Sequence, residues 1–212
     1  MWVLFKVVLP VLLLLGSNAA SAAEECDLPD KVKQEEVLKV FESRWVLVEG
    51  FSDYPAGEDL LRNASSSVME ADKIRNNTKT ILFIERNIVN RKCLTFHVNM
   101  SASDPEKSNH TLELLHPGTM NSDGQVSPYD DKGKADIYQT CPDCATMIYS
   151  GVFDGVDGRM LLIYRREGKH LDTKELEEAQ SGHAKLAECL KFNVPSPFKY
   201  DGKTEFCKEK KD

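Results

Sequence analysis

The chain carries six cysteines, at positions 26, 93, 141, 144, 189 and 207, and all of them lie downstream of an apolar leader. A thiol set behind a leader is a set built for oxidation in an exported protein. Cys141-Pro-Asp-Cys144 has the C-x-x-C spacing, which serves disulfide exchange when it opens a helix in a βαβ setting. Here the motif falls between β-rich runs, so a local structural bridge is the expected chemistry. The histidines at 97, 110, 116, 170 and 183 are scattered, and no HExxH, zinc-spaced cysteine pair, nucleophile elbow or phosphate-cradling glycine loop accompanies them. Neither catalysis nor a metal or cofactor is expected. Acidic pairs such as Asp130-Asp131 and Glu177-Glu178 read as solvated loop and helix faces.

Residues Val7 to Leu15 form a hydrophobic core behind Lys6, and Ala20-Ser21-Ala22 supplies the small residues of a cleavage site. A signal peptide over 1–22 is expected, with the mature chain beginning at Ala23. The apolar run is shorter than the roughly 20 residues that span a bilayer, so no transmembrane anchor is expected. Four acceptor sequons begin at Asn63, Asn76, Asn99 and Asn109, which predicts a glycosylated, secreted protein. The net charge of −7 becomes one unit more negative when Lys6 leaves with the leader. That field disfavours nucleic acid and favours cationic over anionic small molecules.

These residues must be positioned by the mature segment, 23–212, which is long enough for one domain and is expected to be a monomer. Asp30 is placed to cap a short helix with Val32, Val37, Val40 and Phe41 as its apolar stripe. From Trp45 to Arg166, β-rich runs alternate with breaks such as Pro55-Ala-Gly57, Pro117-Gly118, Asp123-Gly124 and Asp157-Gly158. That texture predicts an antiparallel meander. A helix over about 172–190 follows, opened by Asp172 and Glu175 in capping-box spacing, and then a tail over 191–212. About eight strands followed by one helix favour an all-β, eight-stranded up-and-down barrel over about 44–166, with the helix packed outside. A two-sheet sandwich is the alternative.

Ser43-Arg44-Trp45 before the first strand and Tyr164-Arg165-Arg166 at the end of the last resemble two motifs of the lipocalins, although the glycine two residues before the tryptophan is missing. The strings LAECLKF, PFKYDG, TCPDC and LLIYRREG resemble the α1-acid glycoprotein branch, including its fish members that bind toxins or an organotin. The resemblance implies a secreted, glycosylated carrier that holds a small molecule inside the barrel. It also implies that Arg166 packs over Trp45 at the closed end, and that Cys26 pairs with Cys189 and Cys93 with Cys207. These two bridges join Cys141–Cys144 in a set of three.

An outward, glycosylated Asn99 would turn Leu94, Phe96, Val98 and Met100 inward by the period of two. The lipocalin pattern makes the face of Trp45, Leu47, Glu49 and Phe51 interior, which puts a carboxylate where a cationic ligand could pair with it. The alternative leaves Glu49 solvated where the strand bends near the mouth. Phe83, Tyr138, Met147, Tyr149 and Tyr164 complete the candidate cavity. The expected function is sequestration of a hydrophobic, amphipathic or cationic small molecule. An interaction glycoprotein acting through glycans and loops is the alternative.

Overall fold

The computed structural model describes residues 26–74, 77–104, 108–115, 117–129, 132–153 and 155–208. The expected signal peptide, Asn76 and His116 lie outside these residues.

A short helix α1 (Gln34–Val40) precedes the first strand. Its N-cap is Lys33, with no side-chain cap, so Asp30 does not fill the capping role expected of it. The strands are β1 (Trp45–Ser52), β2 (Ala64–Ile74), β3 (Asn77–Val89), β4 (Lys92–Asp104), β5 (Ser108–Leu114), β6 (Gly118–Ser122), β7 (Gln125–Tyr129), β8 (Lys134–Cys141), β9 (Cys144–Phe153) and β10 (Val156–Arg166). A helix α2 (Pro55–Asn63) sits between β1 and β2, a long helix α3 (Thr173–Cys189) follows β10, and a two-residue β11 (Phe198–Lys199) pairs with β1.

Hydrogen bonding runs in a closed circuit through β1, β2, β3, β4, β5, β8, β9 and β10 and back to β1, every pair antiparallel. This is an eight-stranded barrel with α3 outside it. β4 is long enough to pair with β5 through Met100–Asp104 and with β6 through Leu94–His97. β6 and β7 form a hairpin that prolongs the wall. Between β5 and β6 the chain stays on the wall through Leu115 N–H donating to Asn99 O at 3.0 Å.

Two apolar layers explain why β1 is buried along its whole length. Inside, Trp45 and Leu47 join Phe41, Phe83, Met69 and Tyr164 in the core. Outside, Val48, Phe51, Leu161 and Ile163 pack under Ala187, Leu190 and Phe192. Asp172 caps α3 by accepting from Glu175 N–H at 3.1 Å, a bond that satisfies one orphan donor of the first turn.

Trp45 has no exposed surface, and its indole N–H donates to Val40 O at 3.0 Å. The Arg166 guanidinium lies 5.0 Å from the Trp45 ring centroid. It also donates to Asp143 Oδ1 at 2.8 Å, Ser43 Oγ at 2.7 Å and Pro142 O at 3.3 Å. The closed end is thereby tied to the turn between β8 and β9, which the Cys141–Cys144 bridge closes. Cys26–Cys189 fastens the N-terminal segment to α3, and Cys93–Cys207 fastens the tail to β4.

Candidate functional site

A single extra residue decides which side chains of β1 reach the barrel interior. Leu47 faces Tyr164 and Glu49 faces Ile163, so Val48 is inserted as a β-bulge. A bulge reverses inward and outward beyond it. Glu49 and Phe51 therefore point away from the cavity, contrary to expectation. Glu49 lies 3% exposed beneath α3, 2.7 Å from His183 Nδ1 and 3.3 Å from Lys199 Nζ. Phe51 belongs to the layer under α3. Gly50 takes the inward position, and the Leu61 side chain from α2 packs against it.

Tyr138 is also on the outer face. Ile137 pairs with Met147 and shares its inward face, so the next residue points out. The N-terminal segment covers Tyr138 through a backbone bridge at Lys31. Burial, reinforced by the nearby Asp136 charge, pushes its hydroxyl pKa up to about 12. Tyr164 does point inward, but it is packed into the core and does not line the cavity.

The barrel encloses a cavity of about 410 Å³, within the roughly 300–1,000 Å³ of small-molecule sites. Leu47, Phe83, Phe96, Val98, Met100, Met147 and Tyr149 line it. The strand alternation that places Phe96, Val98 and Met100 inward also places Cys93 and Asn99 outward on β4. Phe96 and Tyr129 meet edge to face at 5.0 Å.

Sequence reasoning missed a second group of lining residues. Tyr54 and α2 close part of the mouth with Ala56, Leu60 and Leu61. The signals for α2 were present: Pro55 at the first turn, acidic Glu58 near the start and Arg62 near the end. Tyr54 anchors this lid, because its ring lies so close to Gly57 and Gly158 that a Cβ at either glycine would overlap it. Asp53 accepts from the Arg159 backbone N–H at 2.6 Å and from its Nε at 2.7 Å, fixing the chain just before α2.

Ser67 and Met69 on β2, Glu85, Asn87 and Val89 on β3, and Met160 and Leu162 on β10 also face the cavity. Ser67, Glu85 and Asn87 form a polar patch on an otherwise apolar and aromatic wall. Asn87 Nδ2 donates to Glu85 Oε1 at 3.1 Å, and Ser67 Oγ donates to the same oxygen at 3.4 Å. Burial raises the Glu85 pKa above its ordinary value, and these two hydrogen bonds oppose the rise only in part. Tyr164 feels this charge: burial first, and then Glu85, lift its phenol far above the usual range. Its hydroxyl is buried without a hydrogen-bond partner among the described residues. Period two from Phe83 would have placed Glu85 inside.

The lining is apolar and aromatic apart from the Ser67, Glu85 and Asn87 patch. Among the described residues no group of three or more His, Cys, Asp or Glu side chains could hold a metal ion, and every cysteine is in a disulfide.

No protein-family model matches the chain. It is 36% identical over 205 residues to saxitoxin and tetrodotoxin-binding protein 1 of Takifugu pardalis, and equally to protein 2 of that species. Each match covers 96% of this chain and 50% of the relative, so the chain spans about half the length of these proteins. Among solved structures, the siderocalin Ex-FABP superposes with a TM-score of 0.51 at 10% identity, covering 79% of this chain and 94% of that one.

Proposed function

From a chain with the lipocalin fold and a sequence relationship to the saxitoxin and tetrodotoxin-binding proteins, we propose a secreted carrier for amphipathic small molecules that bear a cation. Glu85 carries this reading. It is a carboxylate inside an otherwise apolar cavity, held by Ser67 and Asn87 through one oxygen. A half-buried carboxylate in an apolar cavity without a positive partner costs free energy, and a ligand cation supplies one. The apolar body of the ligand then lies against Met147, Tyr149, Met160 and Leu162 across the barrel, where burial drives binding.

The cavity is a place for capture rather than chemistry, so the protein acts as a binder and not as an enzyme. Export is supported by the leader over 1–22 and by three disulfides in one small domain. The sequons support glycosylation: Asn63 is exposed at the end of α2, and Asn99 lies on the outer face of β4. No helix among the described residues is long and apolar enough to cross a membrane.

Calorimetric titration with a lipophilic tertiary amine and with its neutral, equal-sized analogue tests the proposal. The amine is expected to bind more tightly. Equal affinities would remove the cation from the reading, and no heat from either compound would remove the carrier.

A further inference from the structure

The chain has six methionines, and Met69, Met100, Met147 and Met160 line the cavity. They come from β2, β4, β9 and β10, so thioethers are spread around the wall. Each is at most 8% exposed. Small reagents therefore reach these sulfurs chiefly through the mouth. With every cysteine in a disulfide, the methionines are the readily oxidised sulfur of the protein.

We propose that these four methionines are an oxidative modification site, at which peroxide entering the empty cavity converts it from a ligand-holding to a ligand-releasing form. This rests on the carrier reading above. A sulfur lone pair attacks one peroxide oxygen, the S–O bond forms and the O–O bond breaks. Sulfur gives up two electrons, and the other oxygen leaves as water after a proton shift. Each sulfoxide sets a strong dipole and an acceptor into a wall whose thioethers were apolar and adaptable. A bound apolar ligand stands between peroxide and the sulfurs, so occupancy protects the site. Met120, on β6, does not line the cavity and serves as the internal control.

The test treats the full glycosylated protein with hydrogen peroxide, with and without the neutral fluorescent probe N-phenyl-1-naphthylamine. Peptide mass mapping, probe affinity and far-ultraviolet circular dichroism are then read. Oxygen is expected at Met69, Met100, Met147 and Met160, with affinity lowered at least about tenfold, equivalent to roughly 1.4 kcal/mol, and with the strand signal retained. Bound probe is expected to slow oxidation at these four residues and not at Met120. Unchanged affinity after four sulfoxides form, equal oxidation rates with and without probe, or loss of the strand signal would each overturn the inference. A protein that binds no probe before treatment overturns this inference, and the carrier reading falls with it only where the tertiary amine and its neutral analogue also give no heat. Binding that survives oxidation overturns this inference alone. The protection readout decides without any substitution.

Discussion

Replacing Glu85 with glutamine is expected to make the free protein more stable and a worse carrier. Gln keeps the volume, and its carbonyl can still accept from Asn87 and Ser67, so the cavity keeps its shape. What leaves is a charge. Opposite charges about 4 Å apart interact by about 4 kcal/mol at an effective permittivity of about 20. Desolvating the ligand cation offsets part of that, and a hydrogen bond to a charged group nets about 1.5–3 kcal/mol. The E85Q protein should therefore bind a lipophilic amine roughly ten- to a hundred-fold more weakly, while a neutral probe is unaffected. The sign of the pH effect follows from the raised pKa. Between the ordinary carboxyl value of 4.5 and the raised native value, the folded state binds more protons than the unfolded one. Stability of the free protein thus falls as pH rises through that window. E85Q removes the fall. Amine affinity moves the other way, rising with pH as the carboxyl ionises, and the variant flattens this profile too. Calorimetric titration and chemical denaturation across pH measure both effects. Equal amine affinity, or an E85Q protein less stable than the parent near neutral pH, would refute the reasoning.

Substituting Arg166 with alanine uncovers Trp45 and removes contacts to Asp143, Ser43 and Pro142. Denaturant titration should show a loss of about 2–3 kcal/mol. Replacing Glu49 with alanine strands His183 and Lys199 over the wall and should cost about 1–3 kcal/mol with neutral-probe affinity unchanged, because Glu49 is outside the cavity. A large change in probe affinity would contradict that placement. Chain entropy ranks the disulfides by loop length, at about 5 kcal/mol for Cys26–Cys189 and for Cys93–Cys207 and about 2 for Cys141–Cys144, given separations of 163, 114 and 3. Paired serine substitutions followed by thermal melts should show the two long bridges as the costly losses. Valine at position 158 should displace the Tyr54 ring and loosen α2, raising the probe dissociation rate in stopped-flow measurements.

The barrel and its outer helix were legible because turn residues separate short β-rich runs, and because a 3.6-residue apolar period follows them. β4 was legible in register, since a sequon on one face orients the other. β1 was not. It is apolar on both faces because α3 covers the outside, so its sequence carries no inward–outward contrast, and the bulge at Val48 left no mark except the neighbouring Gly50. Tyr138 misled for a similar reason, as the N-terminal segment makes an outward tyrosine as buried as an inward one. α2 was hidden by Pro55 and Gly57, which break a strand pattern and were read as a loop. Proline at the start of a helix is favourable, and Gly57 is there because the Tyr54 ring needs the space. Glu85 was visible through its alternation with Phe83, but a charged residue in a polar stretch of sequence does not announce that its strand face is interior.

The most direct measurement is a crystal structure of the protein with a lipophilic tertiary amine bound. The ammonium nitrogen is expected within hydrogen-bonding reach of the Glu85 carboxylate, with the apolar body against Met147 and Met160 inside the barrel. An amine seated on the outer wall, or bound in the cavity with its nitrogen turned away from Glu85, would contradict the assignment.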